Sequence, residues 1–313
     1  MNLLGRTSLI RLLLLLSAML TLLLFVSSFW LPQVGVRDCG GPWQPCWSFY
    51  RQPAGLTQKP EPSPVSDVWL EPDETPPTIK ECPGQLFQAW RLLLYLKSSM
   101  AEDNDVLLES YLQSWDQLLN FMESLGTMVS LFSQKVKEKV VLIRELSLKH
   151  YAETHGKPAG LQTPAAFGLK DGAYRSVRAM VEAELKAGVV DFSRRTDSGC
   201  RTLLRLHRSF LWLRLMLEGL AEGPDAEGRY KTPGELCRDA YHVALAPHHP
   251  WFLRQAAELV FHALPERQYF LQLVCVKSQR EATPILRVII HALKLVHERT
   301  QRILDESNML ELP

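Results

Sequence analysis

DSGCRTLLRLHRSFLWLRLMLEGLAEG, residues Asp197–Gly223, is the stretch that decides the fold. Its C-terminal two-thirds carries apolar side chains on nearly every side, which is typical of a helix packed between other helices. Its first turns instead carry Arg201, Arg205 and Arg208, which share one helical face because they are spaced four and three residues apart. The stretch therefore predicts a central helix that presents guanidinium groups at its start, either to an anionic partner or simply to solvent.

The start of this helix has the features of an anion-binding end. Asp197 or Ser198 is expected to cap it, which places Arg201 where free backbone N–H groups and the positive end of the helix dipole favour an anion. A guanidinium group binds phosphate through two parallel hydrogen bonds, which a lysine cannot do. An anionic group docked over an apolar helical interior is the pattern that a lipid head group requires.

A second basic run lies earlier in the chain, at Lys135, Lys137 and Lys139. Lys135 and Lys139 are four residues apart, so they share a helical face beside an apolar stripe. The run is either a solvated helix face or a further part of an anion site.

The overall charge excludes a general attraction to nucleic acid. The 313 residues hold 35 Lys and Arg against 34 Asp and Glu, so no global field draws the protein to a polyanion. No nucleic-acid partner is expected, and function is expected to reside in a local patch of one folded domain.

Residues 1–31 are expected to form a signal-anchor or a signal peptide. The apolar run Leu12–Leu31 has about the length needed to cross a hydrocarbon core. Arg6 and Arg11 precede it and the next basic residue is Arg37, so the positive-inside rule places the N-terminus in the cytoplasm and the rest in the lumen or outside. This arrangement predicts a membrane-associated protein that enters the secretory pathway.

Residues 32–84 are expected to be a flexible, proline-rich linker. They hold 11 of the 20 prolines of the chain and few aliphatic residues, so they cannot bury enough surface to fold. The folded domain is therefore predicted to span residues 85–313.

That domain is predicted to be all-α, with about eight helices, because no segment alternates with period two for long enough to be a strand. Glycines and prolines predict a loop over His155–Gly172. Before the central helix, the expected helices are Gln85–Ala101, one capped by Asp105 and ending before Gly126, one carrying Val129 to Ile143, and one from Tyr174 to Gly188. After it, the capping box Thr232–Glu235 begins a helix, and two more begin near Pro250 and Pro265. The last helix begins at Thr283-Pro284 and is expected to bury a core stripe of Ile285, Ile289, Ala292, Val296 and Ile303.

No catalytic or metal-binding constellation is present. There is no GxSxG elbow, HExxH pair, phosphate-binding glycine loop or dinucleotide fingerprint, so neither an enzyme nor a cofactor is expected. The pair His248-His249 lacks further ligands at metal spacing. Of the six cysteines, Cys39 and Cys46 could form a disulfide in the secretory route, whereas Cys82, Cys200, Cys237 and Cys275 are expected to be buried thiols.

Five blocks of the chain stand out together. They are VLLESYLQSWDQLLNFMESLGTMVS (Val106–Ser130), SGCRTLLRLHRSFLWLRLMLEGL (Ser198–Leu220), YHVALAPHHPWFLRQA (Tyr241–Ala256), ALPERQYFLQLV (Ala263–Val274) and the terminal LELP. Without gaps, these blocks resemble the glycolipid transfer protein family, particularly its ceramide-1-phosphate transfer branch. The likeness extends over residues 85–313 and is specific, because the blocks agree in order and spacing.

The resemblance implies a two-layer helical sandwich that encloses a hydrophobic lipid cavity, with a head-group site at its mouth. The family positions of that site fall on Arg201, Arg205, Lys139 and His249. The family aspartate that holds the ceramide amide falls on Lys135, which has no acceptor to offer an amide N–H. Ceramide recognition is thus less well supported than anion binding.

Trp251 matches a family tryptophan at the membrane-docking surface, with a core aromatic as the alternative.

The function that the resemblance implies is non-vesicular transfer between membranes of a phosphorylated, ceramide-1-phosphate-like sphingolipid. The alternative is a membrane-tethered lipid sensor or protein-interaction module that binds an anionic lipid without transferring it. Family relatives work in the cytosol, which conflicts with the secretory pathway predicted from the N-terminus. The sequence does not indicate an oligomeric state.

Overall fold

The computed structural model describes residues 79–155, 169–170 and 172–313. Within those ranges the chain forms nine α-helices and no β-strand, which confirms the predicted all-α class of about eight helices. The helices are α1 (Ala89–Ser98), α2 (Leu108–Ser124), α3 (Thr127–His155), α4 (Val177–Lys186), α5 (Gly199–Ala221), α6 (Pro233–Ala244), α7 (Trp251–His262), α8 (Arg267–Leu273) and α9 (Gln279–Glu306), with a 3-10 turn at Ala246–His248.

Helix α5 is the central element, as its sequence predicts. It packs against α3, α4, α6 and α9, which explains why apolar side chains surround its C-terminal part. Phe210 at its middle is fully buried and contacts two aromatic side chains of α2, with ring centroids 5.8 Å from Tyr111 and 5.6 Å from Trp115. Such pairs add packing specificity to the area that they bury.

The N-terminus of α5 is held by two caps. Ser198, one of the two predicted caps, accepts a hydrogen bond from the Arg201 amide at 3.1 Å. The buried Glu184 carboxylate of α4 accepts the amides of Gly199 at 2.6 Å and Cys200 at 2.9 Å. The free N–H groups that the sequence offered to an anionic ligand are therefore already bonded within the protein, and that expectation was wrong.

Helix α1 begins at Ala89 rather than at Gln85. Gln88 has an extended backbone, and its side chain exchanges two hydrogen bonds with the main chain of Cys82, at 2.8 and 2.7 Å. Helix α1 buries Leu92, whereas Leu94 is 47% exposed.

Asp105 does not cap α2, although its position in the sequence favours a cap. Helix α2 begins at Leu108 without a side-chain cap. The Asp105 carboxylate instead accepts the amide of Arg178 in the first turn of α4, at 3.1 Å, and so joins two helices that are distant in the sequence. Gly126 has φ +108°, as expected for the residue that ends α2.

The capping box of α6 is present as predicted, with Thr232 and Glu235 bonded reciprocally and Pro233 at the first helical position. The last helix starts earlier than predicted, because Ser278 caps α9 and Pro284 lies inside the helix. The predicted core stripe of α9 is confirmed, since all five of its members are buried.

Two of the four cysteines predicted to be thiols are bonded to each other. Cys82 and Cys275 form a disulfide with a Cα–Cα distance of 5.7 Å across 193 residues of sequence, so that part of the prediction was wrong. Spacing could not reveal it, because the partners meet only through the fold. Cys200 and Cys237 are buried free thiols, as expected.

The N-terminal apolar run, most of the proline-rich stretch, the Cys39–Cys46 pair and most of the predicted 155–172 loop lie outside the described residues. Among the helices of the described part, none combines the length and the apolar character that a membrane crossing needs.

Candidate functional site

The three arginines at the start of α5 bind the C-terminal segment of the chain. That segment turns back after α9 at Asn308, whose φ is +55°. Each guanidinium donates to a different main-chain oxygen, in the pairs Arg201–Pro313 at 2.5 Å, Arg205–Leu312 at 3.1 Å and Arg208–Leu310 at 2.6 Å. A guanidinium has five N–H groups, so this row of oxygens orients the arginines while leaving further donors for a ligand.

The same arrangement concentrates positive charge in a partly buried place. Burial, together with the neighbouring charges of Arg201 and Arg208, lowers the pKa of Arg205 to about 10. Burial also lowers the pKa of Arg208, which Glu311 partly offsets. An anion placed among these groups would relieve their mutual repulsion.

Lys139 of α3 joins this cluster. Its ammonium group donates to the carbonyl of Lys135, one turn earlier, at 2.8 Å. Burial is the main cause that lowers its pKa, against an opposing effect of Glu138. The positive charges of Lys135, Arg205 and Arg201 lower it further. Helix α3 packs against α5, so the basic side chains of the two helices lie near each other.

His249 completes the predicted set. Its Nδ1 lies 2.9 Å from the hydroxyl of Tyr241 on α6, which holds the imidazole in place. Burial lowers the pKa of His249, and the charges of His248, Lys139 and Arg208 lower it further. The imidazole is therefore neutral near pH 7 and offers a hydrogen bond rather than a charge.

Lys135 occupies a different environment from the other basic residues. Its side chain is 66% exposed, and its ammonium group lies 2.9 Å from the Glu138 carboxylate on the same helix. An exposed pair of this kind contributes little to stability. The side chain of residue 135 therefore brings no hydrogen-bond acceptor to the cluster, as expected for a lysine.

Trp251 lies on the surface at the first position of α7 and is 69% exposed. The core-aromatic alternative is therefore wrong. The next residue, Phe252, is also exposed. Two adjacent aromatic side chains in water are typical of a surface that meets a membrane or another protein.

Behind the basic cluster, the interior between the helices is apolar. It contains a void of about 20 Å³ beside the C-terminal half of α5. This volume is close to that of one water molecule, so a lipid chain requires the lining helices to part. The lining residues are Phe87, Leu92, Leu118, Phe121, Leu217, Leu220, Phe270, Val274, Leu286 and Ile289.

Three parts of this region were not predicted. Arg208 anchors the C-terminal segment, Tyr241 holds His249, and Glu184 occupies the amides of α5. In the sequence, only the helical spacing that places Arg208 on the same face as Arg201 and Arg205 pointed to a role for Arg208. The other two contacts join residues from separate helices or turns.

The helical architecture and this basic site over an apolar interior define a class of lipid-binding carriers. The chain matches the family model described as "Glycolipid transfer protein (GLTP)" over residues 106–276. It is 35% identical to the ceramide-1-phosphate transfer protein of Homo sapiens over 225 residues, which are 71% of this chain and 94% of that protein. The chain therefore belongs to the glycolipid transfer protein family.

Solved structures agree with this assignment. The human ceramide-1-phosphate transfer protein in complex with 2:0 ceramide-1-phosphate has a TM-score of 0.61 at 34% identity, over 72% of this chain and 99% of that one. Its complex with 12:0 ceramide-1-phosphate has a TM-score of 0.59 at 35% identity, over 71% and 97%. This likeness confirms the predicted fold, and the family is one of lipid transfer proteins rather than enzymes.

Replacing Arg208 by Leu should release the C-terminal segment. A hydrogen bond from a charged donor contributes about 1.5–3 kcal/mol, so we expect roughly tenfold faster hydrogen exchange or more at the amides of Met309 and Leu312. Exchange followed by mass spectrometry measures this. Arg238→Leu is the matched control, because Arg238 is also partly buried but pairs with Glu258. Equal exchange in the two variants would contradict the anchoring role.

Proposed function

We propose that the domain binds a ceramide-1-phosphate-like sphingolipid and carries it between membranes. The observation that supports this most is the meeting of Arg201, Arg205 and Lys139, from two helices, at one end of an apolar interior. The similarity to ceramide-1-phosphate transfer proteins supports the same lipid class.

Each side chain has a role that follows from its chemistry. Arg201 and Arg205 bind the phosphate through their remaining N–H groups, and Lys139 adds a third positive charge. His249, neutral and held by Tyr241, donates or accepts one hydrogen bond beside the phosphate. Trp251 docks the mouth of the site at the membrane interface, where amphipathic rings are favoured.

The apolar interior provides the energy for extraction. Transferring one methylene out of water is worth about 0.8 kcal/mol, so an unaided chain of ~16 carbons leaving a bilayer costs on the order of 10 kcal/mol. Side chains of α2, α5 and α9 replace the bilayer as the solvent of that chain. No ATP is needed, because the lipid moves down its own gradient.

Arg201→Leu is expected to reduce transfer of ceramide 1-phosphate at least about tenfold, because it removes a charged hydrogen-bond donor from the phosphate. The full chain, reconstituted in acceptor vesicles, is mixed with donor vesicles that carry the labelled lipid. Arg238→Leu serves as the control and should transfer at the wild-type rate. Wild-type transfer by Arg201→Leu, with circular dichroism unchanged, would overturn the site assignment.

Lys135→Asp is expected to increase transfer of ceramide 1-phosphate several-fold, because a carboxylate offers the amide N–H an acceptor that lysine lacks. Lys137→Asp on the same helix makes the same change of charge and is the control. The same vesicle assay compares them. If Lys135→Asp transfers no better than Lys137→Asp, residue 135 does not select the ceramide part of the lipid.

A membrane-tethered sensor is the second candidate, and the Lys135 position favours it, since the acceptor for the ceramide amide is missing there. An anchored domain would also exchange lipid only across a narrow gap between membranes. Lipid bound by the reconstituted chain without any transfer to or from vesicles would favour the sensor.

We also propose that the domain faces the lumen or the exterior. The distribution of Arg6, Arg11 and Arg37 around the apolar run supports this orientation. The disulfide between Cys82 and Cys275 supports it independently, because such bonds persist in oxidising compartments and are rare in the cytosol.

In sealed microsomes we expect the domain of the full chain to resist protease until detergent is added. Peptide mapping without reductant should recover Cys82 linked to Cys275 from the same membranes. Digestion in intact microsomes, together with both thiols free, would place the domain in the cytosol, where family relatives are expected.

A further inference from the structure

We infer that the disulfide between Cys82 and Cys275 closes the far end of the lipid-chain interior and limits the acyl-chain length that the domain accepts. This limit rests on the proposed function, since it concerns the chain of the lipid whose phosphate binds at α5. It assigns a selectivity role to a cross-link whose contribution would otherwise be stability alone.

Helix α5 sets the distance between the two ends of the interior. Arg205 lies near its start, and Leu217 and Leu220 line the void near its end. At a rise of 1.5 Å per residue, the void lies about 18–22 Å along the helix from Arg205. One leaflet of a bilayer provides roughly 15 Å of hydrocarbon, half of the ~30 Å core. Only a long hydrocarbon chain that starts at the arginines therefore reaches the void.

The far wall of the void is built from two segments that the disulfide joins. Phe87, just before α1, belongs to one, and Phe270 and Val274, at the end of α8, belong to the other. Phe121 lies between the two phenylalanines, with ring centroids 5.3 Å from Phe87 and 5.9 Å from Phe270. For a chain to pass this point, these aromatic rings have to separate.

The disulfide opposes that separation. Cys275 follows Val274 directly, and Cys82 is held to the start of α1 by the side chain of Gln88. The bond keeps the two Cα atoms 5.7 Å apart. A second link, from Gln85 to the carbonyl of Gln272 at 3.1 Å, joins the same segments but is exposed and weaker. Breaking the disulfide removes the only covalent restraint between these two walls.

The expected loss of affinity for a long lipid follows from the number of methylenes that remain outside the apolar interior. Leaving about two methylenes of a long chain in water corresponds to roughly a tenfold loss of binding. We therefore compare 12:0 ceramide 1-phosphate with a homologue whose acyl chain is about twice as long. The oxidised full chain should prefer the shorter lipid by about tenfold or more in the vesicle assay.

Reduction of the disulfide should raise the ratio of long-chain to short-chain transfer by about tenfold, with little change for the short lipid. The double variant Cys82→Ala/Cys275→Ala should behave in the same way without reductant. Cys237→Ala is the control, because it removes a buried thiol that is not in a disulfide, and its ratio should equal that of the wild type.

Loss of a cross-link over 193 residues also lowers stability, so a variant that keeps the disulfide is needed. Phe270→Leu enlarges the far end with the bond intact and should raise the ratio in the oxidised protein. A ratio unchanged by both reduction and Phe270→Leu would overturn the inference, as would peptide mapping that finds the two cysteines unlinked. No transfer of either lipid by any form would contradict the proposed function instead.

Discussion

The buried carboxylate of Glu184 at the start of α5 is the contact on which the rest of the structure depends. It accepts two main-chain amides of that helix and the hydroxyl of Tyr174, so α4, α5 and the segment before α4 meet at one group. Gly199 leaves little space there, because an added Cβ would lie 2.6 Å from the Met180 sulfur and 3.0 Å from the Glu184 carboxylate, so these side chains would have to shift. A charge buried with its partners satisfied is tolerated, whereas removal of a partner is costly. This contact sets the position of α5, and with it the position of Arg201.

The arginines of α5 show how the fold keeps positive charge together before any ligand arrives. Three guanidinium groups on one face repel each other, and their partial burial adds to the cost. The carbonyls of the C-terminal segment compensate part of that cost with their negative ends, while Met309 and Leu312 bury their side chains in the core. The segment is thus bound at both its polar and its apolar side. An anion that bound here would meet guanidinium groups that are already oriented.

Local patterns in the sequence predicted the elements whose causes are local. The extent of α5, its Ser198 cap, the Thr232–Glu235 capping box and the core stripe of α9 all follow from residues a few positions apart. Contacts between distant residues could not be predicted in this way: the bond from Asp105 to Arg178, the disulfide and the row of arginine–oxygen bonds each depend on the tertiary fold. Helical spacing pointed to Arg201, Arg205 and Lys139 as basic faces, and family resemblance assigned them to one site together with His249. That these side chains meet depends on the packing of α3 on α5.

In the proposed function, charge and shape divide the selection of a lipid between the two ends of α5. At the first end, the Lys135 side chain pairs with Glu138 on the surface, so the proposed recognition comes from guanidinium and ammonium groups, which suit a phosphate rather than the ceramide amide. At the other end, apolar side chains carry no direction and discriminate only by the volume that they leave. A domain with weak reading of the ceramide amide then depends more on chain length to separate one phosphorylated lipid from another. The disulfide-linked wall lies at the end of the interior where, by the inference above, that length would be limited.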